Sequence, residues 1–307
     1  MHTSPELPIP EFTDNPQPFE TPKEVDLCYE AVCKGDVDGV KEQVQRLLHN
    51  DEAVPAEQKP DPRWLFYSLG KAIEQKDVEI VRFLLENDVA GGDLPGEIAV
   101  RSGAYKILEL FLDLGWDINK AMGRNRPSVL SIPLSTSDEV MVTWLLDHDA
   151  DPNSRCEWDL TPTSHAMLYA PLETIKTLFQ RKANTSCGQL LHYAVLRDGP
   201  DALAVVRFVV EQGAPLNEVK YKNHPVTYKE REPFGLGTPL HRAAEFGKLD
   251  IVEYLLENGA NPLILDTKKK TPRFWAEEKG HTDVASILEE AEKKHWPQHA
   301  NIGSTNT

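Results

Sequence analysis

The sequence predicts an all-α solenoid of about eight helix-turn-helix units joined by hairpin-like loops. Three observations carry that prediction. Apolar residues recur at helical spacing in short paired runs, a Thr-Pro pair repeatedly opens the first run of a pair, and a small residue often closes the second. The pairs return at a period near 33 residues, the mark of stacked supersecondary units that bury a core only against their neighbours.

The clearest copy is TPLHRAAEFGKLDIVEYLLENGANP at 238–262. Thr238 is a suitable N-cap, its hydroxyl able to accept from an otherwise unpaired backbone N–H. Pro239 suits the first helical position, where no N–H partner is needed. Leu240 then faces the core, and Ala243 and Ala244 let the first helix approach its neighbours closely. Ile251, Val252, Leu255 and Leu256 form the apolar stripe of the second helix, and Gly259 supplies the left-handed residue that ends it.

A second copy, TPRFWAEEKGHTDVASILEEAEK, starts at Thr271, 33 residues further on. Upstream, TPTSHAMLYAPLETIKTLFQRKAN starts at Thr161 and QLLHYAVLRDGPDALAVVRFVVEQGAP at Gln189. Weaker copies start at Asp26, Tyr67, Leu94 and Ser128. Successive starts are 41, 27, 34, 33, 28, 49 and 33 residues apart, and the two long spacings hold a polar loop at 50–62 and an insertion at about 217–235.

A period near 33 with TPLH at one helix start and Gly-Ala after the other closely resembles the ankyrin repeat. The resemblance covers roughly residues 24–294, and the unit at 238 matches nearly every consensus position. The short QLLHYAV unit with its long following linker resembles a variety found in fungal ankyrin-repeat proteins. The family resemblance implies a protein partner held on a concave face made by the first helices and the hairpin tips. It points to the position after the TPLH histidine, here His165, Tyr193, Arg242 and Trp275, with Tyr169, Phe246 and Glu278 three or four residues along. Aromatic and Arg side chains on rigid helices are effective interface anchors.

His241 itself reads as architecture, with its ring expected to bond near Thr238 or to a neighbouring loop. The equivalent position holds Tyr29, Gly70, Glu97, Ser131, Ser164, His192 and Phe274 in the other units, a range that no shared chemistry would tolerate. Thr161, Thr238, His241 and Thr271 are therefore read as structural caps. Departures from the pattern are informative. The left-handed turn position two residues before the Thr is Asp159 in one unit and Lys269 in another, and Lys adopts that conformation poorly. Pro133 falls inside a predicted helix and should shorten it, so units two to four are expected to be less regular than the last two.

In the 217–235 insertion, Tyr221, Tyr228, Arg231 and Phe234 stand among further lysines. The segment reads either as a binding loop or as an elongated hairpin that only packs on its neighbours. Residues 1–23 are Pro-rich and acidic and 295–307 lose the periodicity, so both are expected to be disordered tails flanking a repeat domain at 24–294. Ser4-Pro5 and Thr21-Pro22 in the first tail are candidate phosphorylation sites.

Composition narrows the function. A formal net charge of −16 repels phosphate backbones and favours partners with a basic surface, so nucleic acid is not an expected ligand. No apolar run reaches the ~18 residues a membrane span needs. The first residues form neither a signal nor a transit peptide, and the four cysteines are sparse and unpatterned. A monomer in the cytoplasm or nucleus, not secreted, is the expectation.

No phosphate loop, GxGxxG, HExxH, GxSxG or CxxC occurs. Cys187 and His192 do not read as a nucleophile and base, because Cys187 falls in a turn and His192 has the structural role of His241. His295 and His299 have helical metal-pair spacing, but Pro297 lies between them and no third ligand is near. No catalytic residue, cofactor or metal is expected. The leading function is a non-enzymatic scaffold for protein–protein interaction. The alternative is a regulatory subunit or adaptor controlling an enzyme or degradation complex, although no F-box is present. An enzyme with an unrecognised buried site ranks third.

Overall fold

A computed structural model describes residues 22–48, 60–89 and 94–300, with side chains through 295. Ser4, Pro5 and Thr21, most of the polar loop at 50–62 and the end of the C-terminal tail lie outside the described residues. The chain divides into two compact units, Met1–Gly91 and Gly92–Thr307.

The first unit holds two helix pairs. Helix α1 (Lys23–Lys34) turns into α2 (Val37–Leu48), and a 3-10 turn, Pro62–Leu65, leads into α3 (Phe66–Glu74) and α4 (Val78–Glu86). Helix α1 packs on both α2 and α3, and α2 packs on α4, so first helices meet first helices and second meet second. Cys28, Val32, Val44, Leu69, Ile73 and Leu84 are completely buried between them. Gly35, at a φ of 66°, ends α1, and the Asp77 carboxylate caps α4 by accepting from the Ile80 N–H at 3.0 Å.

The second unit repeats this plan six times. Its pairs are α5 (Leu94–Ser102) with α6 (Tyr105–Asp113), α7 (Ser131–Thr136) with α8 (Glu139–Asp147), and α9 (Pro162–Tyr169) with α10 (Leu172–Gln180). They continue with α11 (Leu190–Ala194) and α12 (Ala202–Glu211); then, after a lone helix α13 (Pro225–Arg231), α14 (Pro239–Glu245) with α15 (Leu249–Glu257) and α16 (Pro272–Glu278) with α17 (Thr282–Ala300). First helices again form one layer, α5 on α7, α7 on α9, α9 on α11, α11 on α14 and α14 on α16. In the second layer α12 packs on α15 and α15 on α17, and Phe179 of α10 meets Phe208 of α12 edge-on at 5.2 Å. The alanines expected to permit close approach, Ala243 and Ala244, are completely buried, as are Val252 and Leu255 beneath them.

In the second unit, turns join successive pairs without forming strands among the described residues, with α13 inserted in the junction between α12 and α14. In two of them the closing bond is the same, Cys156 N–H to Leu160 O at 2.9 Å and Asp266 N–H to Lys270 O at 2.9 Å. The left-handed position falls on Asp159 (φ 54°) and Lys269 (φ 62°).

Three sequence expectations are refined. Helix α7, holding Pro133, spans only six residues and stops at a left-handed Ser137, but α3 to α6 are each nine residues long. Among units two to four the shortened first helix is thus confined to the fourth, where Pro133 stands in the first turn. The insertion is neither an open loop nor an elongated hairpin: Pro225 starts a helix and Pro233 follows in a 3-10 turn, Glu232–Phe234. Finally, α17 runs on to Ala300, past the residue where the repeat periodicity ends.

Candidate functional site

Three first helices of the later units, α9, α14 and α16, start at a threonine N-cap, whereas α11 starts at a left-handed Gln189 with no side-chain cap. In α9, Thr161 Oγ1 accepts from the Ser164 N–H at 3.1 Å, and Ser164 Oγ accepts from the Thr161 N–H at 3.0 Å. At α14 the Thr238 N–H donates to His241 Nδ1 at 3.0 Å, with the Thr238 hydroxyl 2.8 Å from the same nitrogen. The Phe274 N–H lies 3.4 Å from Thr271 Oγ1 at α16, a longer contact.

The third helical position also reaches forward. Ser164 Oγ donates to Gly188 O at 2.5 Å, His192 Nε2 to Gly237 O at 3.2 Å and His241 Nε2 to Lys270 O at 3.1 Å. In each case the carbonyl belongs to the residue just before the next unit's start. Burial, with some repulsion from neighbouring cations, drops the His192 imidazole to about 3 and the His241 imidazole to about 4, so both rings are neutral at neutral pH. Gly237 has no room for a side chain, since a Cβ there would stand 2.6 Å from His241 Cγ.

The predicted partner-facing residues divide by exposure. Tyr169 (55% exposed), Phe246 (54%) and Phe234 (67%) present rings to solvent, and Glu278 is also exposed. His165 is half-buried, 3.3 Å from Ser135 Oγ through Nδ1 and 6.2 Å from the Tyr169 ring. Trp275 is half-buried and fixed to the preceding hairpin, its Nε1–H donating to Asp266 Oδ2 at 2.8 Å. Tyr228 is half-buried on the insertion helix. Tyr193 and Tyr221 do not stand on an open face. They are 9% and 7% exposed, and their hydroxyls meet at 3.1 Å.

Five predicted residues come together with unpredicted ones in a groove of ≈ 300 Å³: Tyr193, Tyr221, Arg231, Phe234 and Arg242, with Trp158, Lys220 and Leu236. The insertion builds one wall by folding back on an earlier hairpin, where Thr227 Oγ1 donates to Glu157 O at 3.2 Å and Glu230 pairs with Arg124 at 3.0 Å. The Arg231 guanidinium lies 3.7 Å from the Trp158 ring centroid, and Lys220 Nζ lies 4.1 Å from that of Tyr193. Sequence reasoning missed Trp158 because only tertiary folding brings residue 158 to the insertion. Lys220 was visible only as one basic residue among several.

The Cys187 thiol lies buried at 3.9 Å from Asn153 Oδ1, and burial pushes it up. A raised thiol and a depressed His192 imidazole are the reverse of an activated nucleophile and base. Among the described residues no three His, Cys, Asp or Glu side chains cluster to hold a metal ion, and no helix is long and apolar enough to cross a membrane.

Residues 219–298 match the family model described as ankyrin repeats (3 copies). The chain is 45% identical over 53 residues to the protein named Putative E3 ubiquitin-protein ligase XBAT34 of Arabidopsis thaliana, covering 17% of this chain and 14% of that one. It is 30% identical over 135 residues to the Probable 26S proteasome regulatory subunit p28 of Saccharomyces cerevisiae, 42% of this chain and 54% of that one. It is also 22% identical over 311 residues to the Ankyrin repeat protein nuc-2 of Neurospora crassa, 87% of this chain and 28% of that one. The chain thus spans from about a seventh to about half the length of these relatives. With eight helix pairs among the described residues, recurrent hairpins between them and these likenesses, the chain is an ankyrin-repeat protein.

Proposed function

We propose that the chain is a non-catalytic scaffold that binds a partner protein on the face carried by its first helices and hairpin tips, and acts by positioning or occluding it. One observation carries the reading. Tyr169 closes α9 and Phe246 follows α14, each four residues after the His165 and Arg242 positions, and both rings stand open to solvent on a layer of mutually packed first helices. Exposed aromatic rings on rigid elements bury large area at small ordering cost. Trp275, Glu278 and His165 extend the same row, and Arg242 connects it to the groove. The chain's net charge of −16 favours a partner whose surface is broadly basic, and disfavours nucleic acid. A monomer working in the cytoplasm or nucleus fits the same reading.

The test is capture of partners from native extract by the immobilised chain, read by mass spectrometry, with Tyr169→Ala/Phe246→Ala as the comparison. Both side chains are exposed, so the variant should keep its helical circular dichroism and lose the specific partners. Retention of the same partners by a folded variant removes this row from the interface.

A second reading rests on the likeness to a protein named a probable proteasome regulatory subunit. Under it the chain is a regulatory subunit or adaptor of an enzyme or degradation complex. Co-sedimentation of the purified chain with 26S proteasomes supports that reading, and its absence at micromolar concentrations of both removes it.

A further inference from the structure

Lys220, Arg231 and Arg242 line one groove of ≈ 300 Å³, together with the rings of Trp158, Tyr193 and Tyr221. Their counter-ions are largely missing. Among the described residues no carboxylate lies within ion-pair distance of Lys220 Nζ, whose neighbours are the Tyr193 ring at 4.1 Å and the Tyr221 ring at 5.1 Å. Arg231 stacks on Trp158 at 3.7 Å and on Phe234 at 5.7 Å, and forms neither an ion pair nor a side-chain hydrogen bond among the described residues. Arg242 is half engaged, with Nη1 on Glu245 at 2.5 Å and Nη2 at 3.4 Å from Gly235 O. Trp158 Nε1 is closed to solvent and has no hydrogen-bond partner.

Converging cations repel one another and lose hydration, which is costly without a compensating anion. The cost is visible at Lys220: burial first, then Arg242 and Arg231, lower its ammonium to about 7. Composition does not explain the arrangement, because acidic residues outnumber basic ones by 49 to 33 in the chain. The groove gathers unspent donors on aromatic walls, the chemistry that recognises an oxyanion flanked by apolar surface.

We infer that this groove is a recognition site for an acidic peptide segment of a partner protein, taking a carboxylate or phosphoryl group between Lys220 and Arg231. A peptide is favoured over a polyanion, since a net charge of −16 repels nucleic acid and anionic bilayers, whereas the groove admits a single side chain. Arg242 makes the groove continuous with the proposed partner face, and the inference rests on the reading of the chain as a partner-binding module. The partner's general surface and the segment it inserts would then carry opposite charge.

The experiment is fluorescence anisotropy of labelled short peptides titrated with the full chain. One peptide alternates Glu and Phe, one carries phosphotyrosine among neutral residues, and one alternates Lys and Phe. At least one of the first two should bind saturably, and Lys220→Met/Arg231→Met should weaken it about tenfold or more, the loss expected of charge-assisted hydrogen bonds. The preferred peptide tells carboxylate from phosphoryl. Arg231→Gln alone removes the charge of a half-buried side chain at the end of the insertion helix while keeping a polar group there; with its helical circular dichroism unchanged it should bind several-fold more weakly. Binding of neither anionic peptide, binding by the double variant within about twofold of the parent, or equal binding of the Lys peptide overturns the proposal. The titration needs no captured partner, so an intact groove with a failed extract capture removes the exposed row and not this site, and the converse holds equally.

Discussion

Nε2 of His241 lies 3.1 Å from the carbonyl oxygen of Lys270, the last residue before the next unit's Thr271. A carbonyl only accepts, so Nε2 carries the proton and Nδ1 is free to take the Thr238 N–H at 3.0 Å. One neutral ring therefore closes its own helix start and clasps the following unit. His192 to Gly237 and Ser164 to Gly188 repeat the forward half of that clasp. His241→Ala leaves the buried Thr238 N–H unpaired and removes one of the two bonds to the Lys270 carbonyl, which keeps the Asp266 N–H at 2.9 Å, and should cost about 1–3 kcal/mol. Urea unfolding measures it, and a change below about 0.5 kcal/mol would show that water replaces both bonds.

The same ring makes stability depend on pH in a stated direction. The unfolded imidazole titrates near 6.5, whereas in the fold burial holds His241 at about 4, so between these values the unfolded chain binds more protons. The stability contributed by the neutral ring is full above about pH 6.5 and is lost as pH falls toward 4, by on the order of 3 kcal/mol in all. Carboxylates titrate in the same range, so the parent is compared with His241→Gln. The parent's advantage should shrink steadily from pH 7.5 to pH 4.5, and a constant difference would separate the ring's protonation from its structural role.

The repeat was legible because it is local. Thr238, Pro239 and Gly259 act within a few residues of themselves, and the apolar stripes of α14 and α15 follow helical spacing, so capping and periodicity reveal them without tertiary knowledge. Groove chemistry was legible only in part. Arg242 and Arg231 were visible as residue types, but Trp158 and Lys220 gain their roles from contacts made when the insertion folds back on an earlier hairpin. Tyr193 shows the converse error, since its repeat position suggests an open face while the insertion lays Lys220 and Tyr221 over it.

Tyr193 consequently should respond to substitution as a core residue. Tyr193→Phe removes the bond to the Tyr221 hydroxyl and should cost about 1 kcal/mol, whereas Tyr193→Ala also opens a cavity and should cost about 3–5 kcal/mol. Thermal melts followed by circular dichroism distinguish the two. Equal stability of Tyr193→Ala and Tyr193→Phe would mean that the ring is not packed.

The two left-handed hairpin positions should respond to glycine in opposite directions. Lys269 holds a φ of 62° with an exposed side chain, so it bears the Cβ penalty of that conformation without a compensating contact. Lys269→Gly should therefore stabilise the chain by up to about 1 kcal/mol. Asp159 has nearly the same backbone, φ 54°, but its buried carboxylate accepts from Gln189 Nε2 at 2.8 Å and pairs with Arg155 at 3.5 Å. Gln189 in turn accepts the Tyr221 N–H at 3.0 Å, so Asp159 anchors the start of the insertion through one intermediary. Asp159→Gly relieves the same backbone penalty and loses these bonds, and should destabilise by about 1–3 kcal/mol. Urea midpoints of the two variants, measured side by side, decide it: a shift of the same sign in both would mean that backbone conformation, not the carboxylate's partners, governs this turn.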